Sequence, residues 1–196
     1  MNFTELLTEV YELTGRADLV AKTKAAVKAA TLKAHMTDFY SRDIAEIAVV
    51  AASADYIHQI DYITLVTNFR ALKYLRKYDS VTTLAGAFLD VITPEEVLDS
   101  YGNEKSDVCY MAGRTLSVKS STQEDNFILS CYVLPDVTEG SYSSWVAEQF
   151  PYVIVYEAAR VVFKMVQDAD QSNTYDRLGK EQLILMRETA LTNLGY

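Results

Sequence analysis

The chain has 196 residues, 49% of them hydrophobic, and its 27 acidic and 18 basic side chains give a net charge of −9. This length and apolar content suit a single domain with a sizeable core, and three prolines and seven glycines argue against long disordered stretches. The acidic balance argues against a protein that grips nucleic-acid phosphates, and neither a signal peptide nor a membrane-spanning segment is expected.

The N-terminal segment predicts two antiparallel helices. Asn2 and Glu5 have the spacing of a capping box, and Gly15 suits the C-terminal cap of the first helix. Asp18 is the predicted start of the second helix, which runs to about His35. The connection is short, so the pair is expected to form a hairpin.

The second helix has two apolar faces instead of one. At 100° per residue, one face carries Val20, Thr23, Val27, Ala30 and Ala34, and the nearly opposite face carries Ala25, Ala29, Leu32, Met36 and Phe39. Lysines and His35 lie between the two faces, and His35 is expected to face solvent. Two interpretations stay open: a central helix buried in its own domain, or a helix that packs on its domain with one face and on another subunit with the other.

The central segment predicts short strands near 44–50, 55–60 and 69–75, with a helix as the alternative around 48–54. Thr93, Pro94 and Glu96 then predict a short capped helix that Gly102 ends. Beyond Asp107 the pattern predicts three strands of a meander, with turns at "GR" and "TQED".

The C-terminal third predicts helices. One begins at Pro151, runs to about residue 168 and is apolar nearly all round; a loop follows, and a weakly amphipathic helix covers 174–194. We expect an α+β fold in which a bundle of N- and C-terminal helices (1–40 and 142–196) carries a small antiparallel β meander as a β-rich insertion (41–141), all within one domain. The residues after about 182 are expected to serve docking more than folding.

The sequence shows no motif of a known catalytic or metal site. It has no glycine-rich phosphate loop, HExxH, GxSxG or CxxC, and the two histidines, His35 and His58, stand apart. Cys109 and Cys131 are expected to be buried free thiols. We therefore expect no enzyme, no catalytic residue, no cofactor and no metal.

Six segments in order along the chain resemble the head-to-tail adaptor proteins of short-tailed bacteriophages. The resemblance is carried by "LTGRADL" (13–19), "AATLKAH" (29–35), "DFYSRD" (38–43), "FRALKYLRKYD" (69–79), "CYMAGRTLSVKSS" (109–121) and "ILSCYVLPDVT" (128–138). No single motif is specific, but the ordered set covers most of the chain.

The resemblance implies a structural role in the neck of the virion. Adaptors form a homo-oligomeric ring, usually of twelve copies, beneath the portal protein at the capsid vertex. The ring extends the channel through which DNA passes without sequence-specific binding, and it carries the tail nozzle and fibre proteins. Such a subunit would fold in the bacterial host's cytoplasm, and it brings no catalytic residues.

The expected interface residues lie on the second and last helices. They are Lys24, Lys28, Ala25, Ala29, Ala30, Ala34, Leu185, Met186 and Tyr196. The small residues would allow close helix contact, and the lysines would find acidic partners on a neighbour or the portal. Two alternatives stay open: another phage neck protein, such as a head-completion or tail-terminator subunit, and a soluble enzyme or small-molecule binding module with a deep pocket.

Overall fold

A computed structural model describes residues 1–78, 85–98 and 102–192. The chain divides into two compact units: a helical unit of Met1–Asp43 with Leu134–Tyr196, and a sheet unit of Ile44–Val133. Among the described helices, none is both long enough and apolar enough to cross a membrane.

The helical unit contains helices α1 (Phe3–Thr14), α2 (Val20–Met36), α4 (Trp145–Gln149), α5 (Pro151–Met165) and α6 (Ala169–Thr192). Helix α5 is its centre, since α1, α2, α4 and α6 all pack against it. This position explains why α5 is apolar nearly all round. The buried core is formed by Phe3, Leu6, Leu7, Val10, Ala26, Val27, Ala30, Ala34, Tyr40, Val146, Ala147, Val153, Ile154, Val155, Ala158, Val162 and Met186.

The predicted ends of α1 are confirmed, whereas the predicted start of α2 is not. The Asn2 side chain accepts a hydrogen bond from the Glu5 backbone N–H, Glu5 accepts from that of Asn2, and Gly15 ends α1 with φ of 62°, which confirms the predicted boundaries. Helix α2 does not begin at Asp18, whose carboxylate instead pairs with Arg16 at 2.8 Å.

Helix α6 begins earlier than predicted. Asp168 accepts a hydrogen bond from the Gln171 backbone N–H at 3.1 Å, so the segment expected to form a loop instead opens the helix. Its predicted end at residue 194 lies outside the described residues. Met186 is fully buried, and Arg187 pairs with Asp38 at 2.9 Å. The last helix therefore belongs to the fold of the helical unit, and its role in docking stays a prediction.

The sheet unit contains strands β1 (Ile44–Asp61), β2 (Phe69–Tyr78), β3 (Ala85–Val91), β4 (Val108–Ala112) and β5 (Thr115–Val133), with the short helix α3 (Tyr62–Leu65) between β1 and β2. The strand order is β1-β5-β2-β3-β4, and β4 also pairs with β5, so four strands close on themselves and β1 lies outside them. The β3–β4 pair is parallel and the other pairs are antiparallel. The core consists of Val49, Ile60, Tyr62, Val66, Leu75, Leu89, Cys109, Leu116, Val118, Phe127, Leu129 and Cys131.

The predicted arrangement of terminal helices around a small antiparallel meander is wrong. The strands form a closed four-stranded sheet with an extra strand, and helices occur along the chain, including α3 and a 3₁₀ helix at Pro94–Val97. The predicted turn "TQED" lies inside β5, and one strand, β1, replaces the two predicted at 44–60. Around residues 51–57 of β1 and 121–125 of β5 the alternation of apolar and polar residues is lost, because both strands are largely exposed at these positions and not because the chain turns.

The Thr93 capping box is confirmed, although it opens a 3₁₀ helix that ends at Val97, before the predicted stop at Gly102. Residues 99–101 of the predicted helix lie outside the described residues. Cys109 and Cys131 are buried and free, as predicted, and burial raises the pKa of Cys109 to about 11.

Asp107 makes the sheet unit sensitive to acid. Its carboxylate accepts hydrogen bonds from Lys77 at 2.7 Å and from the Ser121 backbone and hydroxyl at 2.9 and 2.6 Å, and these bonds lower its pKa from 3.8 to about 2. A lowered folded-state pKa stabilises the fold above the unfolded-state pKa, and this stabilisation disappears as pH falls from about 4 to 2.

We expect Asp107→Asn to cost about 1 kcal/mol at pH 5 and almost nothing at pH 2, after allowing for solvent screening of a side chain that is 39% exposed. Urea unfolding followed by circular dichroism across this range measures the difference. Asp125→Asn, on the exposed part of β5, is the control. A cost that stays constant with pH would contradict the prediction.

Candidate interaction surface

The two apolar faces of α2 have different environments. The face with Val27, Ala30 and Ala34 packs in the core of the helical unit. On the opposite face Ala25 and Ala29 are exposed. The structure thus separates the four alanines proposed for the interface into two in the core and two at the surface.

The outer face of α2 comprises Ala25, Ala29, Leu32 and Met36, with Phe39 just beyond the helix. Met36 is 57% and Phe39 is 56% exposed, while Leu32 is half-buried. The four helical residues follow at intervals of four, three and four, so they form one continuous stripe. Small alanines at one end and long apolar side chains at the other make a surface that a second helix could approach closely.

A groove lies beside this stripe, between α2, α5 and α6. It has a volume of about 270 Å³, and Ala30 and Ala34 of α2, Val153 of α5, and Gly179 and Leu183 of α6 form most of its apolar lining. Gly179 of α6 faces α5, where a Cβ atom would lie at an ordinary van der Waals distance of 3.8 Å from that of Tyr156. The groove is slightly smaller than a drug-sized pocket, which suits side chains of another protein.

Charged side chains border the groove. Lys33 is 2.8 Å from Glu157, and Glu157 also pairs with Arg160 at 2.6 Å. Burial acts to raise the pKa of Glu157, but the hydrogen bonds from Arg160 and Lys33 outweigh it and hold that pKa below its ordinary value. On the other side Lys180 pairs with Asp176 at 2.6 Å. Lys33 and Lys180 are well exposed, and each is paired with a carboxylate that also lines the groove.

The two lysines that the sequence predicted for the interface, Lys24 and Lys28, also have an acidic partner within the helical unit. Lys24 and Lys28 lie 2.8 and 3.6 Å from the Glu139 carboxylate, and the hydrogen bond from Lys24 lowers the pKa of Glu139. Of the last-helix residues, Leu185 is half exposed and Met186 lies in the core. Tyr196 lies outside the described residues.

His35 is buried, so the expectation that it faces solvent is wrong. Its Nδ1–H donates to Asp43 at 2.8 Å, and its Nε2 accepts from the Ser144 hydroxyl at 2.9 Å. Trp145 Nε1–H donates to the same Asp43 oxygen at 2.7 Å. We call these four residues, His35, Asp43, Ser144 and Trp145, the buried polar network.

Ser144, His35 and Asp43 are hydrogen-bonded in the order serine–histidine–aspartate that serine hydrolases use. Ser144, however, has a structural role. Ser144 Oγ accepts the Ala147 backbone N–H as the N-cap of α4, and the side chain is almost completely buried. A nucleophile must be open to its substrate. The arrangement instead ties α2 to α4 and to the 3₁₀ helix Ser41–Asp43. Sequence reasoning missed it because the residues that its hydrogen bonds join are 8 to 109 positions apart.

His58 lies on one face of β1, as predicted. Its Nε2–H donates to the Asp55 carbonyl at 2.9 Å, and its ring packs edge-on against Phe127. Among the described residues, no group of three or more His, Cys, Asp and Glu side chains is placed to hold a metal ion.

Comparison of the chain with protein-family models and with curated proteins gave no match.

Proposed function

We propose that the chain is a head-to-tail adaptor of a short-tailed bacteriophage, a virion protein of the neck that forms a ring beneath the portal. The observation that carries the proposal is the outer face of α2 with the adjoining groove, an exposed apolar surface bordered by Lys33 and Lys180. Large exposed apolar patches on soluble proteins commonly mark protein–protein contacts.

A closed ring needs two different surfaces that complement each other on neighbouring copies. The outer face of α2 and the groove supply one of them. The second is the solvent side of α1, which carries Glu5, Glu9 and Glu12 and no basic residue within Phe3–Thr14. Acidic side chains of one copy would then meet Lys33 and Lys180 of the next, and this charge pattern favours head-to-tail over face-to-face association.

The proposal includes the remaining roles implied by the resemblance. The ring, of twelve copies, would extend the DNA channel and carry the nozzle and fibre proteins. A net charge of −9 suits a channel wall that DNA passes without binding.

Light scattering tests the proposal. We expect the isolated chain to be a monomer or a mixture of small oligomers, and a ring to form when its cognate portal protein is added. The double variant Leu32→Lys/Met36→Lys should keep its fold, because Met36 is exposed and Leu32 half-buried, but should form no ring.

Ile63→Lys is the matched control, since Ile63 is an exposed apolar residue of α3 in the sheet unit. It should assemble like the unmodified chain. An unchanged mass on mixing with portal would contradict the adaptor role. Ring formation by the Leu32→Lys/Met36→Lys variant would show that the outer face of α2 is not the contact.

A further inference from the structure

Strand β1 has one free edge. It is 18 residues long and pairs with β5 along one side. In the described parts of the chain, no strand pairs with its other side. The backbone N–H and C=O groups of such an edge are available to another extended chain.

This edge lacks two features that usually prevent strand pairing, basic side chains and proline, although its pairing with β5 shifts register on both sides of Asp55. Between Ile44 and Asp61 there is no lysine, arginine or proline. Val50 is 73% exposed and Ile57 is 57% exposed. A groove of about 420 Å³ follows the strand from Ala48 to Asp61, and Thr64 and Leu65 of α3 also line it. An extended segment would therefore find both backbone partners and room for its side chains.

The charge beside the edge indicates what kind of segment would bind. Asp55 lies directly opposite Glu124 of β5, and Asp125 follows. Like charges opposite each other across strands destabilise a sheet. In the described residues the Asp55 carboxylate has one partner, the Tyr56 backbone N–H at 2.7 Å. Lys77 already lies 3.9 Å from the Glu124 carboxylate, so a basic side chain of an added strand would pair with the Asp55 carboxylate.

We propose that the free edge of β1 binds, by strand addition, an extended segment of another protein that alternates apolar and basic residues. The backbone of the segment pairs with β1, its apolar side chains contact Val50 and Ile57, and a basic side chain pairs with Asp55. The inference concerns the sheet unit alone and holds whether or not the chain forms a ring.

The probe is a capped synthetic heptapeptide that alternates valine and lysine, added to the full chain without portal. Hydrogen exchange followed by mass spectrometry should show slower exchange of the amides in 44–61 when the peptide is present, because strand addition gives those N–H groups a partner. A peptide of the same length with proline at alternate positions cannot donate these hydrogen bonds and should not protect them.

The Asp55→Lys variant should bind the peptide about tenfold more weakly, since an attraction is replaced by a repulsion of similar size. Glu181→Lys, with the same charge change on the exposed side of α6, should bind normally and is the control. Absence of protection at about 1 mM peptide, or equal protection by the proline peptide, would overturn the proposal. Protection that rises with protein concentration alone would also overturn it, because the occupant would then be a second copy.

Discussion

Replacing Asp43 with alanine should lower the free energy of unfolding of the helical unit by about 3 kcal/mol. The Asp43 side chain is buried, and a single oxygen accepts hydrogen bonds from both His35 and Trp145. Alanine leaves both donors buried without an acceptor. An unsatisfied buried polar group typically costs about 1–3 kcal/mol.

Two further variants separate the hydrogen bonds from the charge of Asp43. Asp43→Asn keeps one acceptor oxygen in place, and its amide nitrogen takes the position of Oδ2, which has no hydrogen-bond partner. We expect it to cost about half as much as alanine. Ser144→Ala removes the N-cap of α4 and one partner of His35, and it should cost about 1–2 kcal/mol.

Urea unfolding followed by tryptophan fluorescence measures these costs for the helical unit alone. Trp145 is the only tryptophan of the chain, and it belongs to that unit. If Asp43→Ala and Asp43→Asn destabilised the unit equally, the buried charge rather than the acceptor geometry would matter. Costs below about 0.5 kcal/mol for both variants would mean that the buried polar network does not hold α2 and α4 together.

Replacing Ala26 with leucine should cost about 1–3 kcal/mol, whereas the same change at the neighbouring Ala25 should leave stability within about 0.5 kcal/mol. Ala26 is buried in the core of the helical unit, and Ala25 is exposed on the outer face of α2. The two substitutions add the same three carbon atoms to the same helix, so helix propensity cancels between them. The difference between the two stability costs therefore shows which face of α2 is packed.

The same pair of variants bears on assembly. In a ring built through the outer face of α2, Ala25→Leu would hinder close approach of the neighbouring copy while the monomer stays stable. Thermal unfolding measures the stability of each variant, and light scattering with portal protein measures its assembly. Equal destabilisation by both would mean that α2 is buried on all sides, and no effect from Ala26→Leu would contradict the observed packing.

Sequence reasoning succeeded where the signal is local. The Asn2–Glu5 pair and Gly15 set the ends of α1, and Pro151 set the start of α5, because caps act within four residues. Periodicity also identified Ala25 and Ala29 as a face separate from Ala30. These are properties of a single helix, which its own sequence contains.

Sequence reasoning failed where the environment is made by distant residues. The lysines on the same strip of α2 predict that His35 is exposed to solvent. The side chain is instead buried, because Asp43 and Ser144 provide hydrogen-bond partners that no local pattern shows. The polar stretch 122–125 has the composition of a turn but lies inside β5, because exposed strands and turns share a composition. The groove beside α2 could not be predicted either, since α6 forms one of its walls and Met186 of that helix packs in the core with residues distant in the sequence.

The way the chain enters and leaves the sheet unit has a consequence for its synthesis. Ile44 and Tyr132 lie opposite each other in the β1–β5 pair, so the two ends of the inserted segment start side by side. The helical unit comprises Met1–Asp43 and Leu134–Tyr196, and its central helix α5 belongs to the later part. During synthesis, α1 and α2 therefore leave the ribosome before the sheet unit, and their apolar faces stay without α5 until the sheet unit has emerged. The alanine-rich, lysine-bearing composition of α2 exposes fewer large apolar side chains during this interval than a strongly apolar helix would, which lowers the tendency to aggregate before α5 is made.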